Sequence, residues 1–190
     1  MAESARRVVV FAPQTRQGVA IRTLPPESRF SLRLPMRAIA DAGEVAGFRL
    51  ALAINRRAQN GARWSARLGP NEWLIGGPKA GAAAIAGEIE EALAGQIHAL
   101  VDVSHRNVAI EIAGAEAAAI LNAGCPLDLA AEAFPAGSAT RTLLGKAEIV
   151  LIRAGQAPVF RVECWRSFAT YVHGFLVEAA RDCPPLGSSG

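Results

Sequence analysis

The apolar residues of this chain come in short alternating runs, a pattern that restricts the fold more than any other feature. "RFSLRLP" sets Phe30, Leu32 and Leu34 against Ser31 and Arg33, and "VAIEIAG" alternates Val108, Ile110 and Ile112 with Ala109 and Glu111. Successive side chains on an extended strand point to opposite faces, so each run reads as a strand with one face in a core. Further strands are predicted over 48–54, 62–69, 72–76, 140–144, 148–153 and 159–164, and Val8–Ala12 reads as another. Gly69-Pro70-Asn71 makes the turn between two of them. Segment 13–27 carries Pro13, Pro25 and Pro26 with little period and reads as a linker or covering arm.

Helical spacing is confined to a few segments. "MRAIADAG" reads as a short helix capped by Gly43, and "AEAAAILNAG" as one closing at Gly124. Ala82, Ile85, Ile89 and Leu93 form an apolar stripe opened by Pro78 and ended by Gly95. Phe168, Tyr171, Val172, Phe175, Leu176 and Ala179 form a last stripe, with Ser167 as N-cap. The order β-α-β-β-(β)-α thus occurs twice, with an extra strand in the second copy, and reads as an internal duplication. The expected fold class is α+β, two related halves of antiparallel sheet plus helices. An arm over 1–27 precedes halves at 28–95 and 98–182, and a tail over 183–190 reads as disordered.

Composition narrows the function. With 190 residues, 51% of them hydrophobic and 19% charged, the chain can bury a sizeable core without staples. Its mean hydropathy of +0.22 is high, yet no apolar run nears the roughly 20 residues of a membrane-spanning helix. The surplus points to a filled core or to apolar surface covered by a partner. Lys and Arg number 20 against 17 Asp and Glu, and they are scattered, so no basic stripe for nucleic acid appears. Cys125, Cys164 and Cys183 are odd in number and widely spaced, which points to a reducing compartment. "MAESARRVVVFAPQ" lacks the pattern of a secretory signal, so the cytoplasm is expected.

"VDVSHRNVAIEIAG" places Asp102, Ser104 and His105 within four positions. With strands over 99–104 and 107–113 and a turn at Arg106-Asn107, Asp102 and Ser104 share a face that His105 does not. Triads converge from distant segments, so the stretch reads as the shoulder of a β-hairpin whose polar groups bond local backbone. His98, His105 and His173 sit in different elements without metal-ligand spacing; a site from His105, Asp102 and one Cys is the remaining metal option. Gly145-Lys146 lacks the phosphate-loop pattern, since Thr140 stands where Gly is needed and Ala147 where Ser or Thr is. Trp64, Trp73 and Trp165 on predicted strands read as core or interface packing. The residues thus indicate no catalytic, cofactor-binding or metal-binding position.

"RLGPNEWLIGGP", "VDVSHRNVAIEIAG", "AGCPLDLAAEAFPAG", "TRTLLGKAEIVL" and "RSFATYVHGFLVEAAR", in this order, resemble the gamma subunit of heterotetrameric sarcosine oxidase, over Ser28 to Arg181. The same stretches are similar to the folate-binding region of the aminomethyltransferases, the glycine-cleavage T-proteins, which share the D-V-S hairpin. The resemblance implies two related α+β halves in a subunit that has no assigned catalytic residue. It places the chain in a complex that oxidatively demethylates sarcosine to glycine, with hydrogen peroxide formed and the one-carbon unit passed to tetrahydrofolate. The implied partners are alpha, beta and delta subunits. Beta carries FAD, covalent FMN lies between alpha and beta, alpha holds NAD and tetrahydrofolate, and delta binds zinc. Relatives often carry Gln where this chain has Arg141, a departure that points to partner contacts. The alternatives are a stand-alone folate-binding one-carbon protein and a sister complex oxidising another N-methylated amine. A hydrolase built on Ser104 and His105 is disfavoured by the strand alternation.

Overall fold

Trp73 and Ile75 pack into one core while Leu74, between them, packs into another. Ile149 and Leu151 likewise alternate with Val150 and Ile152. A strand apolar on both faces must be covered on both, and a layered fold follows. A computed structural model describes residues 8–16, 18–39, 43–79 and 81–182. Its strands are β1 Gln14–Arg16, β2 Val19–Thr23, β3 Ser28–Arg33, β4 Glu44–Val45, β5 Phe48–Arg49, β6 Arg56–Asn60, β7 Arg63–Gly69, β8 Glu72–Gly77, β9 Ala99–Asp102, β10 Asn107–Ala113, β11 Ser138–Leu144, β12 Ala147–Arg153 and β13 Val159–Trp165. The α-helices are α1 Ala82–Ala92, α2 Ala117–Asn122 and α3 Ala169–Asp182.

The main sheet runs β1-β2-β10-β13-β12-β11-β6-β7-β8-β3-β9, all its pairs antiparallel, and β4-β5 form a separate ribbon. The β11–β6 junction is thin, with Ser138 facing Arg56 as its one register pair. About this junction the sheet folds over itself. Trp64, Ala66 and Leu74 from one side meet Ala139, Val150 and Ile152 from the other in an inner core. On the outer faces, α1 covers β3 and β8 through Ile85 and Ile89, and α2 and α3 cover β10, β12 and β13.

The strand order reads the same outward from the junction in both directions: β6-β7-β8-β3-β9 and β11-β12-β13-β10-β2. Backbone contacts recur at matching places. Val103 N–H donates to the Arg29 carbonyl at 2.8 Å, as Leu24 N–H does to Ala109 at 2.8 Å. Leu34 to Asn71 at 3.0 Å matches Gly114 to Pro158 at 3.0 Å. At the junction, Arg57 to Gly137 at 2.8 Å mirrors Ala139 to Asn55 at 3.0 Å. The arrangement also exchanges edges: β2 precedes β3 in sequence but pairs with β10, and β9 precedes β10 but pairs with β3.

Several sequence expectations are corrected. The hairpin of 99–104 with 107–113 does not form, because β9 contributes Leu100 to the α1-side core whereas Ile110 and Ile112 of β10 belong to the α2–α3 core. Segment 13–27 is no plain linker, since it holds β1 and β2, whereas Val8–Ala12 forms no strand. The strand expected over 48–54 shrinks to Phe48–Arg49, and an unforeseen strand, β6, supplies the copy of β11. The second half therefore has no extra strand. "MRAIADAG" forms only a 3-10 turn at Met36–Ala38, with 40–42 outside the described residues. Helix α1 starts after Gly81 rather than at Pro78 and ends at Ala92, before Gly95. Ser167 lies within a 3-10 turn, Arg166–Phe168, instead of capping α3. The tail over 183–190 and Cys183 lie outside the described residues.

One close approach sets the inner core. A Cβ built on Gly76 would stand 2.3 Å from Cε2 of the buried Trp64 ring. Gly76→Ala is therefore expected to cost about 1–3 kcal/mol, read from the urea midpoint, because a buried ring has little room to shift. An unchanged midpoint would show that Trp64 repacks freely.

Candidate functional site

The two edge exchanges carry the chain past one place twice, at 24–27 between β2 and β3 and at 103–106 between β9 and β10. Asp102, Ser104 and His105 lie at this crossing. A strand that ends needs new partners for its last polar groups, and short polar side chains supply them. The Asp102 carboxylate accepts from Ser104 N–H at 2.8 Å. The Ser104 hydroxyl accepts from Arg29 N–H at 2.9 Å and donates to the Arg29 carbonyl at 3.3 Å. Asp102 and Ser104 thus finish the β3–β9 ladder, as the local-backbone reading anticipates, although the element is a crossover and not a hairpin. His105 is exposed.

Beside the crossing lies a cavity of about 90 Å³, lined on its polar side by Arg29, Lys79, Ser104, His105, Asn107 and Arg166. Among the described residues no carboxylate lines it. Of the lining residues, Arg29 also belongs to an ionic cluster that composition alone does not reveal. Glu163 on β13 is fully buried, and its Oε1 accepts from Arg29 Nε at 3.1 Å and from Arg161 Nη2 at 2.5 Å. The Glu163 Oε2 lies 3.0 Å from Arg29 Nε, close enough for charge attraction but outside hydrogen-bond geometry. Arg161 also clasps Glu27 at 2.6 Å and stacks over Trp64 at 4.7 Å, and the Trp64 Nε1–H donates to Glu27 at 3.2 Å. Burial alone would raise the Glu163 carboxyl, but the Arg161 and Arg29 guanidiniums outweigh it and hold it below the usual range. Burial, with the Glu163 charge beside it, pushes the Cys164 thiol up to about 12. A thiol held so high is a poor nucleophile.

The other candidates disperse. His98 pairs with Glu90 at 2.9 Å, and its pKa is raised chiefly by its bond to the Gln96 carbonyl, with Glu90 adding. His173 stacks on Phe11 with centroids 4.2 Å apart, and burial lowers its pKa. Cys125 and Cys164 are buried, free thiols. Among the described residues no three of His, Cys, Asp and Glu gather as a metal site. Gly145-Lys146 is the β11–β12 turn, where Lys146 N–H donates to the Tyr171 hydroxyl at 3.1 Å. Trp64 and Trp73 are core residues as expected, whereas Trp165 is 45% exposed. Arg141, expected at partner contacts, joins the two sides of the sheet by pairing with Glu72 at 2.7 Å. No helix of the described residues is long and apolar enough to cross a membrane.

The family described as "Sarcosine oxidase, gamma subunit family" matches residues 36–182. The chain belongs to this family. As a member of the sarcosine oxidase gamma subunit family, it is 29% identical over 153 residues to the sarcosine oxidase subunit gamma of Arthrobacter sp, covering 79% of this chain and 67% of the relative. The fold is that of a chain in the heterotetrameric sarcosine oxidase from Corynebacterium sp. U-96 in complex with pyrrole 2-carboxylate. The two agree with a TM-score of 0.78 at 24% identity over 88% of this chain and 86% of that one. Half of the glycine cleavage system aminomethyltransferase T from Bartonella henselae has the same fold, with a TM-score of 0.65 at 16% identity over 88% of this chain and 50% of that one. The α+β class with two antiparallel halves agrees with both structures.

Proposed function

We propose that this chain is the gamma subunit of a heterotetrameric sarcosine oxidase and acts there as a scaffold, with no catalytic residue of its own. The family match over 36–182 carries the reading. The crossing supports it, since Asp102 and Ser104 spend their polar groups on backbone and Glu163 is sealed between two arginines. In this reading the oxidation of sarcosine and the transfer of its one-carbon unit to tetrahydrofolate take place in the alpha, beta and delta subunits. Those partners hold the FAD, FMN, NAD, tetrahydrofolate and zinc, and the complex works in the cytoplasm.

The isolated chain is expected to be colourless, to oxidise no sarcosine and to self-associate, because an obligate subunit buries more than about 2,000 Å² against its partners. Co-expressed with alpha, beta and delta, it is expected to elute with them in one particle. A flavin spectrum with activity from the isolated chain overturns the scaffold role. A stable monomer that ignores the co-expressed subunits overturns the subunit assignment.

We further infer that the two halves derive from one unit used twice, with the first copy reaching back beyond the expected start at residue 28 to β2 at Val19 and the second spanning 98–182. The matched strand orders and the matched backbone bonds support this. So does a shared device: Arg67 stacks over Trp73 at 5.1 Å, and Arg153, at the corresponding place on β12, stacks over Phe160 at 5.5 Å.

A further inference from the structure

The internal two-fold exposes one place where the halves are not completed alike. β2 and β9 occupy equivalent edge positions, but β2 is covered by β1, with Gln14 facing Ile21 and Arg16 facing Val19. β9 pairs with β3 alone among the described residues. The cause is connectivity. The chain reaches β2 from an arm free to fold back as β1, whereas it reaches β9 from α1 through the turn at 93–95, which leaves no length to return.

The register shows what the bare edge offers. Val103 N–H donates to Arg29, so in an antiparallel ladder Val101 and Ala99 also bond toward β3, and the N–H and C=O groups of Leu100 and Asp102 point outward. Leu100 holds the place of Ile21, the residue that Gln14 faces in the other half. Unlike Ile21, which is buried, Leu100 is only half-buried. Val101 is 55% exposed and Ile97, just before the strand, 79%. An open strand edge with exposed apolar side chains is a template for another strand.

We propose that the free edge of β9 receives an extended, antiparallel segment from another subunit of the sarcosine oxidase complex, completing the sheet as β1 completes it at β2. This rests on the gamma-subunit reading. The length of the edge decides against a second copy of this chain: a four-residue strand paired with itself covers far less than the roughly 1,600 Å² of a stable interface. The occupant must be held by further contacts, and a surface for them continues from β9. Arg106, in the turn that leaves β9, stacks at 5.5 Å on the exposed Trp165, which lies 6.5 Å from the exposed Phe168. The occupant is thus a strand with an apolar residue beside Val101, from a subunit that also covers Trp165 and Phe168.

Residue-resolved hydrogen exchange on the isolated chain and on the co-expressed complex tests this. The Leu100 and Asp102 amides are expected to exchange fast in the isolated chain and at least tenfold slower in the complex, with the Ala99 and Val101 amides protected in both. Val101→Lys, at an exposed position, is expected to keep the melting temperature of the isolated chain while cutting recovery of the other subunits tenfold or more. Ile54→Lys, an exposed apolar site on the loop before β6, serves as the control that retains them. A complex that forms with the Leu100 and Asp102 amides still fast overturns the proposal and leaves the gamma-subunit reading standing. Concentration-dependent protection of the Leu100 and Asp102 amides themselves in the isolated chain overturns it in favour of a second copy. Failure of the wild-type chain to join any complex overturns both.

Discussion

Glu163→Gln is expected to lower the unfolding free energy by about 3–5 kcal/mol, the cost of breaking a buried ion pair from one side. Arg29 is 2% exposed and Glu163 fully buried, so neither can turn to water when its partner changes. The amide keeps the shape but removes the charge that two guanidiniums share, and its N–H donors face theirs. Arg161 retains Glu27, whereas among the described residues the Arg29 side chain retains the Glu27 backbone carbonyl at 3.2 Å and no carboxylate. Urea unfolding followed by tryptophan fluorescence reads the loss. Removing both charges, as in Arg29→Met with Glu163→Leu, leaves no buried ion unmatched and is expected to cost less than Glu163→Gln alone. A double variant worse than the single one would show that packing, not charge pairing, sets the cost.

The same residue gives a pH dependence. The Glu163 carboxyl is held below its ordinary value of 4.5 in the folded chain, where Arg161 and Arg29 together outweigh the opposing effect of burial. A group with a depressed folded pKa contributes stability that is complete above its unfolded pKa and is lost as pH falls through the folded value. Acidification below about pH 4 is therefore expected to narrow the stability gap between wild type and Glu163→Gln. A gap unchanged between about pH 7 and pH 3 would refute the linkage.

Strands whose sides belong to clear cores were legible in the sequence. The runs at 140–144, 148–153 and 159–164 fall within β11, β12 and β13. Segment 159–164 alternates Phe160, Val162 and Cys164 with Arg161 and Glu163, 149–152 is a short continuous apolar run, and the Gly145-Lys146 turn separates it from 140–144. β6 was missed because "RRAQN" is polar on both faces and is half-buried at most, although the Asn60-Gly61 pair before β7 carries a hairpin signal. The sequence marks β9 as a strand but does not mark its neighbour. Local order favours pairing of consecutive strands, whereas the edge exchange sends β9 to β3, and nothing within 99–113 encodes that choice. The local roles of Asp102 and Ser104 followed from their residue types, since both bond nearby backbone whichever element they end. The ionic cluster is hidden in the sequence because its two pairs, Glu27 with Arg29 and Arg161 with Glu163, lie 134 residues apart. It also breaks the internal repeat: Glu163 stands where the first half has Gly76, and Val150 where the first half has Trp64. The smaller Val150 leaves room for a carboxylate that the Trp64 ring denies at Gly76.

Trp73→Ala and Phe160→Ala, at matching places in the two halves, are each expected to lower one shared unfolding transition by about 3–5 kcal/mol. Trp73 is fully buried, donates from Nε1 to the Ala51 carbonyl at 2.9 Å, and lies under Arg67. Truncation opens a cavity, strips a buried carbonyl of its donor, and removes the ring on which Arg67 rests. Phe160 carries the same load on the other side, under Arg153, whose Nη1 donates to the Phe134 carbonyl at 3.1 Å. The transition is shared because of the exchanged edges. Without β9 the first half lacks the strand beside β3, and without β2 the second lacks the strand beside β10, so each copy completes the other's sheet. The inner core, with Trp64 and Leu74 against Val150 and Ile152, adds a face that neither copy can bury alone. Calorimetry and near-ultraviolet circular dichroism of both variants, compared with wild type, separate the cases. A single transition moved by either variant fits two copies folding as one unit. Two transitions, each moved by only one variant, would show that the copies fold independently and that the exchanged edges do not couple them.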